Sequence, residues 1–334
     1  MGATSFEIEV RSPFRLDLTV WALRRRPHNT VDAWGGSTYT RTLVADGQPV
    51  HVAVHEETAG VPGPVPGPIR LGVVACRRGA APSEVALAEV RSSIERLLGL
   101  DVDLAGFYEL ATSDERLARL TRQFLGVRPP RFASVFEALV NAVACQQLSL
   151  DVGIHLLDRL ADVYGPKVAL RGATAGFPGP ERLCAAEPAH LRRLGFSQAK
   201  ARAIIEIARR ASSGSIDLDA LAHADPINLM SALTLLPGIG RWSAEYVALR
   251  GLGHLSVLPG DDVGARNNLC RHFDLPASAG YDDVAALAKS WWPYGGLVYF
   301  HLLLDGLARA GHLDVTADQQ GAAQTPPLQK GSDG

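Results

Sequence analysis

Lysine is scarce in this chain of 334 residues, in which Lys and Arg together number 33. The only lysines are Lys167, Lys200, Lys289 and Lys330, so almost all of the positive charge belongs to arginine. A lysine amine that attacks a substrate as a nucleophile therefore has few possible positions in this protein.

Cysteine is also sparse, and the four cysteines lie far apart at positions 76, 145, 184 and 270. No Cys-x-x-Cys pair or Cys/His cluster occurs, which argues against a zinc ribbon, an iron–sulfur loop or a disulfide framework. We expect the cysteines to act as small buried hydrophobic residues, and we expect no metal site made from side chains.

Two further features are missing, namely a long apolar run and an excess of positive charge. No run approaches the roughly 20 residues of a membrane helix, and Glu7, Glu9 and Arg11 interrupt any signal-peptide pattern. We therefore expect a cytoplasmic protein that does not bind membranes. The net charge of −2 means that composition alone does not indicate nucleic-acid binding.

The residues that are present predict an α+β protein. Up to about residue 76, Phe14–Val20, Tyr39–Leu43 and Val50–Val54 alternate as strands do, and Asp46-Gly47 is typical of a hairpin turn. A further strand is expected at Ile69–Val74, after a Pro-Gly-rich loop at 61–68. Residues 1–127 are thus predicted to form a small antiparallel sheet domain with helices, one of them running from Ser83 to Leu98 and closed by Gly99.

The second part of the chain, residues 128–315, is predicted to be an all-helical domain. Its longest helices are expected at Val135–Cys145, Val152–Tyr164, Ala199–Ala211 and Ile227–Leu235. Residues 316–334 are rich in Gln, Gly, Pro and Ser, so we expect a disordered tail.

The most informative segment is Pro237-Gly238-Ile239-Gly240-Arg241, which separates two apolar helical patterns. Two glycines permit a tight turn, and amides at the start of the second helix can bind a phosphate oxygen without side-chain charge. On its own, Gly-x-Gly is also typical of an ordinary turn between helices. This segment is called the hairpin below.

With its surroundings, the hairpin makes the chain resemble the helix-hairpin-helix DNA glycosylases, in particular the 3-methyladenine DNA glycosylase II (AlkA) type. The resemblance rests on Leu194–Ile204, Pro237–Gly251, the pair Asp261-Asp262 and Trp291-Trp-Pro-Tyr294, and it spans roughly residues 130–312. It implies an all-α helix-hairpin-helix glycosylase domain after the sheet domain, and damaged double-stranded DNA as the partner.

The resemblance assigns the catalytic carboxylate to Asp262. A carboxylate near C1′ of the sugar can stabilise the positive charge that develops as the glycosidic bond breaks. Both aspartates could instead be helix caps, and we expect Asp261 to cap the helix that begins near Val263. In relatives that also cut the strand, a lysine stands where this chain has Trp242, which predicts a monofunctional enzyme.

Trp242 and Tyr294 are the aromatic residues expected to hold a flipped base, although the resembled family carries a second tryptophan where Tyr294 stands. Trp291 and Trp292 are expected to pack in the core. Gln147 or Leu148 is the expected wedge that fills the space of the flipped base, while an ordinary helix end explains the same segment.

Two other functions remain open at this point. A helix-hairpin-helix protein that binds DNA without catalysis would not need Asp262, Trp242 and Tyr294, and an 8-oxoguanine-type glycosylase would use a lysine. We expect no required cofactor, although the resemblance implies a monovalent cation at the hairpin carbonyls. We also expect a monomer, located with the nucleoid if the source is bacterial.

Overall fold

The computed structural model describes residues 2–57, 69–218, 220–223 and 225–313. The predicted loop at 61–68 and the predicted tail at 316–334 lie outside the described residues. No helix of the described part is long and apolar enough to cross a membrane.

Five strands form one antiparallel sheet in the order β1-β5-β4-β3-β2. Their bounds are β1 Gly2–Val10, β2 Ala33–Gly35, β3 Thr38–Ala45, β4 Gln48–Glu57 and β5 Ile69–Arg77. The hairpin turn expected at Asp46-Gly47 joins β3 to β4, and both residues have positive φ, as such a turn requires. The α+β fold class, with a sheet followed by many helices, is confirmed.

Fourteen α-helices are found among the described residues. They are α1 Leu16–Arg24, α2 Glu84–Leu98, α3 Ala105–Thr112, α4 Glu115–Gln123, α5 Val135–Cys145, α6 Leu150–Tyr164, α7 Pro180–Leu183, α8 Pro188–Arg193, α9 Gln198–Ser212, α10 Pro226–Thr234, α11 Arg241–Val247, α12 Val263–Phe273, α13 Tyr281–Ala288 and α14 Gly295–Arg309. Short 3₁₀ turns occur at Ala220–His223 and Lys289–Trp291, and a π-helical turn, Ala248–Leu252, continues α11.

Helix ends follow the expected local chemistry. The hydroxyl oxygens of Ser83 and Ser197 accept hydrogen bonds from backbone amides three residues later, and Gly99 ends α2 with a φ of 60°. All four cysteines are free and half-buried, which makes them less buried than expected.

The prediction of a strand over Phe14–Val20 is wrong, because Leu16–Arg24 forms helix α1. Leu16 and Val20 pack in one hydrophobic core while Leu18 packs in a second core, so both faces of the helix are buried. A short apolar segment that is buried on two sides has no single face from which a helix can be distinguished from a strand.

Two hydrophobic cores place the helices. The first core joins the sheet to α2, α5, α6 and α9, and the second joins α1, α3 and α4 to α12 and α14. Both cores therefore contain residues from before and after position 128. The division into domains 1–127 and 128–315 stays a prediction, and packing is continuous across it.

Candidate active site

A cleft of about 1180 Å³ opens between the hairpin, the α5–α6 turn and the start of α12. The hairpin and α11 contribute Gly240, Arg241 and Trp242, and the α5–α6 turn contributes Gln147 and Leu148. The other walls come from the start of α12, from α14 and from the end of α1. The α5–α6 turn, the hairpin and the start of α12, for which the sequence predicted functional residues, therefore meet at this cleft.

The hairpin has its tight turn at Gly238, where φ is +76°. A Cβ there would meet the Ala203 side chain at 3.0 Å, so both conformation and space favour glycine. Ile239 is buried and anchors the turn in the first core. Gly240 is different, because its φ of −97° suits any residue and a Cβ would meet no described atom within 4 Å.

Gly240 precedes α11, whose first amides have no acceptor within the helix. The open space beside Gly240 leaves these amides accessible to an anion. Arg241 does not add a free charge, because its Nε and Nη2 both donate to Asp261 Oδ2, at 2.9 and 2.8 Å. Its guanidinium also lies 3.6 Å from the ring centroid of Tyr281.

Gln146 connects the α5–α6 turn to the hairpin. Its Nε2 donates to the carbonyl oxygen of Gly238 and to Oγ of Ser243, both at 2.7 Å. The turn is also held by Lys200, whose Nζ donates to the carbonyl oxygens of Ala144 and Gln146 at 2.9 and 2.7 Å. The two sides of the cleft are therefore fixed to each other by polar contacts that the sequence did not reveal.

Asp262 lines the cleft and is the N-cap of α12. Its Oδ1 accepts a hydrogen bond from the Ala265 amide at 2.8 Å, and its Oδ2 accepts one from the Tyr299 hydroxyl at 3.2 Å. The expectation that Asp261 caps this helix is wrong, because Asp261 pairs with Arg241 instead. The cap role and a catalytic role are compatible, since the carboxylate retains free lone pairs that face the cleft.

Two tyrosines complete an aromatic wall that also contains Trp242. The Trp242 and Tyr246 rings lie 5.3 Å apart between centroids at 31°, and Tyr299 stands beside Asp262. Burial, and then the negative charge of Asp262, raise the pKa of Tyr299 well above its ordinary value. Burial also raises the pKa of Tyr246, so both phenols stay neutral at physiological pH.

The expectation for Tyr294 requires correction, because this residue is not among those lining the cleft. Its ring packs edge-on against Phe107 with 6.0 Å between centroids, and its hydroxyl lies against Gly106, where a Cβ would be only 2.1 Å away. Trp291 is buried as expected, whereas Trp292 is 72% exposed. Packing against α3 thus draws Tyr294 into the second core, a contact no local pattern shows.

Sequence reasoning missed Tyr246, Tyr299 and Arg25. Tyr246 could have been found, because it lies four residues after Trp242 and shares a helical face with it. Arg25 is buried, has a φ of +61° at the end of α1, and donates to the Tyr246 hydroxyl and to Asn141 Oδ1, both at 2.7 Å. Arg25 reaches the cleft from the end of α1, the helix that forms where the sequence predicted a strand.

The wedge candidates Gln147 and Leu148 both line the cleft and are both exposed. Gln147 has a φ of +54°, which places it at the apex of the α5–α6 turn. Both residues therefore remain candidates for the wedge.

Comparison with known proteins decides the family of the helical part. Residues 140–294 match the model of the HhH-GPD superfamily of base excision DNA repair proteins. The chain contains an HhH-GPD domain. This domain includes the hairpin, Asp262 and the α5–α6 turn.

Proteins of similar sequence have related names. The chain is 36% identical over 146 residues to DNA-3-methyladenine glycosylase 2 of Escherichia coli, which covers 44% of this chain and 51% of that enzyme. It is 28% identical over 215 residues to a DNA-3-methyladenine glycosylase of Bacillus subtilis, covering 64% and 71%. The chain thus spans about half the length of some curated relatives, 55% for another Bacillus subtilis protein.

A solved structure extends the likeness beyond the matched domain. The 3-methyladenine DNA glycosylase from Archaeoglobus fulgidus superposes with a TM-score of 0.77 at 26% identity, and the superposition covers 90% of this chain and 98% of that one. The N-terminal sheet of this chain is therefore part of an architecture that the two proteins share.

Proposed function

We propose that this protein is a monofunctional DNA glycosylase that flips an alkylated or deaminated purine out of damaged double-stranded DNA and hydrolyses its N-glycosidic bond. The observation that carries the proposal is the position of Asp262 in one cleft with Trp242, Tyr246 and the hairpin. The names of the relatives support the same activity.

The cleft suits a flipped base for reasons of size and surface. Its roughly 1180 Å³ exceeds what a purine needs, so part of the sugar and backbone can enter as well. Trp242 and Tyr246 offer flat aromatic faces for stacking, and a cationic alkylated base adds a cation–π attraction of about 1 kcal/mol. Gln147 or Leu148 would fill the space that the base leaves in the duplex.

The proposed reaction breaks the bond between the base nitrogen and C1′, and the bonding electrons leave with the base. The carboxylate of Asp262 stabilises the positive charge that develops on the sugar. It then accepts the proton that a water molecule gives up as it adds to C1′, and passes that proton to solvent. The Ala265 amide and the Tyr299 hydroxyl hold the carboxylate in one orientation. An abasic site remains in the strand.

Lysine does not enter this chemistry. None of the described residues that line the cleft is a lysine, and Lys200 already donates to two carbonyl oxygens behind the α5–α6 turn. This favours water as the nucleophile and weighs against an 8-oxoguanine-type glycosylase and lyase. A hairpin protein without catalysis would need Asp262 only as the cap of α12, and would not need it in one cleft with Trp242 and Tyr246.

The decisive experiment incubates the protein with alkylated duplex DNA, identifies released bases by chromatography, and adds borohydride to a parallel sample. We expect free alkylated purines, an intact strand until alkali is added, and no trapped adduct, because borohydride reduces only the imine that an amine forms with the sugar. Absence of base release would contradict the glycosylase. An adduct that accumulates as fast as the base and disappears when one lysine is replaced would contradict the monofunctional mechanism.

DNA affinity should depend on Gly240 for a reason unrelated to folding. We expect Gly240→Ala to fold like the parent but to bind undamaged and damaged duplexes about tenfold more weakly, because a methyl group blocks the approach of a phosphate to the α11 amides. Fluorescence anisotropy with both duplexes measures this. The matched variant Gly238→Ala should instead lose stability, by about 1 kcal/mol or more, because of its positive φ.

Unchanged DNA affinity in Gly240→Ala would show that the backbone does not approach DNA at this position. A loss confined to damaged DNA would assign Gly240 to base recognition instead of to phosphate binding.

We further propose that the hairpin carbonyls hold a monovalent cation in the DNA complex. The carbonyls of Leu236 and Gly238 each accept one hydrogen bond, from the Ile239 amide and from Gln146, and each retains a second lone pair. Such neutral oxygen donors fit a monovalent ion, which would add positive charge beside the phosphate. The protein is proposed to act as a monomer.

A further inference from the structure

Two imidazoles and a carboxylate meet where the segment after α1 crosses α6. His155 and Asp158 are three residues apart on α6 and therefore share a helical face, and His28 approaches them from the segment between α1 and β2. One ligand atom from each of the three side chains lies within 4.8 Å of the other two. His28 lies far from His155 and Asp158 in the sequence, so the cluster could not be seen there. The sequence therefore led us to expect no metal site made from side chains.

The contacts around the cluster leave ligand atoms available. Nε2 of His28 is buried and has no hydrogen-bond partner among the described residues. Asp158 is 8% exposed, and Thr30 donates to it twice, from its amide and its hydroxyl, but both bonds end on Oδ1 at 2.9 Å. These bonds fix the carboxylate from behind, as the supporting partners of a metal ligand do.

The arrangement of the two histidine rings differs from that of a cluster joined by hydrogen bonds. The His28 and His155 rings stack with centroids 3.9 Å apart and an interplanar angle of 17°. Rings that stack face to face do not hydrogen-bond to each other, so their ring nitrogens stay available to a ligand. A buried ring nitrogen without a partner is unfavourable, and a bound cation would remove that cost.

We propose that His28, His155 and Asp158 bind a divalent transition metal ion of the Zn²⁺ type. Two imidazole nitrogens and one carboxylate oxygen are the donors that Zn²⁺, Co²⁺ and Ni²⁺ accept, whereas Ca²⁺ requires six to eight oxygens. Tetrahedral Zn²⁺ needs its ligand atoms about 3.4 Å apart. The exposed side chain of His155 can turn to close the remaining distance, which leaves at least one position for water.

The position of this site suggests what the ion does. The segment that carries His28 begins with Arg25 and Arg26, which line the cleft, and Arg26 already pairs with Asp151 of α6 at 2.9 Å. An ion between His28 and α6 would fasten the same segment more firmly. The ion would therefore hold this segment in place, and the existence of the site does not depend on the proposed reaction.

Isothermal titration with Zn²⁺ tests the proposal on the full chain after removal of any affinity tag and bound metal. We expect one tight site in the parent and at least a tenfold loss of affinity in His155→Ala, whose exposed side chain can be removed without disturbing the fold. His190→Ala is the matched control, because His190 is an exposed histidine on α8 outside the cluster, and it should bind Zn²⁺ as the parent does.

Thermal unfolding gives a second readout. Free Zn²⁺ at about one hundred times the Kd of the parent should raise the Tm of the parent by about 5 °C. The same Zn²⁺ concentration should not raise the Tm of His155→Ala. Asp158→Asn keeps an oxygen for the Thr30 bonds and should also weaken binding. Equal Zn²⁺ affinity in the parent and in both cluster variants would overturn the proposal.

Co²⁺ as a spectroscopic probe separates this site from the free cysteines. Histidine and carboxylate ligands give visible bands without a thiolate charge-transfer band in the near ultraviolet. A strong charge-transfer band at one equivalent of Co²⁺ would place the ion on a cysteine and contradict the assignment.

Discussion

Asp262→Asn is expected to reduce base release by about 10²–10⁴-fold while the protein still folds and binds DNA. The negative charge of the carboxylate acts on the sugar cation, which exists only near the transition state, so its removal lowers the rate and leaves ground-state binding within a few-fold. Single-turnover kinetics with alkylated duplex DNA, together with anisotropy for binding, measure the two effects separately.

The choice of asparagine follows from the second role of this residue. Asp262 caps α12 through Oδ1, and Asn is about as good a cap as Asp because its carbonyl oxygen accepts the same Ala265 amide. Asp262→Ala would remove the cap and the charge together and could not separate stability from catalysis.

Asp261→Asn is the matched control, because it makes the same chemical change one residue earlier. Asp261 pairs with Arg241 at the exposed rim of the cleft, so its loss should change base release by only a few-fold. Near-parental activity of Asp262→Asn, with Asp261→Asn inactive, would reassign the catalytic carboxylate to Asp261.

Local chemistry allowed much of the helical domain to be predicted. Serine caps, glycine ends and 3.6-residue periodicity gave the bounds of α2, α5 and α9 to within about two residues. The hairpin is a short, continuous segment, and Asp262 was assigned through the resemblance that the hairpin carries; both lie at the cleft, and their roles are proposals. Trp242 follows the hairpin directly, and it also lines the cleft.

Contacts between distant segments account for what could not be predicted. Tyr294 and Tyr299 are five residues apart, yet α3 draws the first into a core while the second reaches Asp262. Arg25 enters the cleft from α1, whose helical state depends on burial by two cores. Tertiary packing sets the positions of these side chains, and neither residue spacing nor composition predicts them.

The largest expected loss of stability comes from Arg41→Met, about 3–5 kcal/mol. Arg41 is 1% exposed on β3, and its two Nη atoms pair with Asp32 at 2.6 Å and with Glu137 of α5 at 2.5 Å. The Tyr39 hydroxyl donates to the same Asp32 oxygen at 2.8 Å. Removal of the guanidinium would leave two buried carboxylates without their counter-charge. Urea unfolding, compared at equal m-values, measures the effect.

Arg70→Met is the control that separates burial from charge. Arg70 also lies in the sheet and pairs with Glu7, but both side chains are 52% exposed, so this change should cost less than about 0.5 kcal/mol. Adding Glu137→Gln and Asp32→Asn to Arg41→Met should restore part of the stability, because neutral amides are less costly to bury than unpaired carboxylates.

This network also bears on the domain boundary near residue 128. Arg41 lies on β3 and Asp32 immediately precedes β2, whereas Glu137 belongs to α5, the helix that leads to the α5–α6 turn of the cleft. A chain that starts at 128 would expose the α5 face and leave Glu137 without Arg41. A loss of less than about 1 kcal/mol in Arg41→Met would show that this network does not couple the two parts, and that other contacts between the sheet and the helices do.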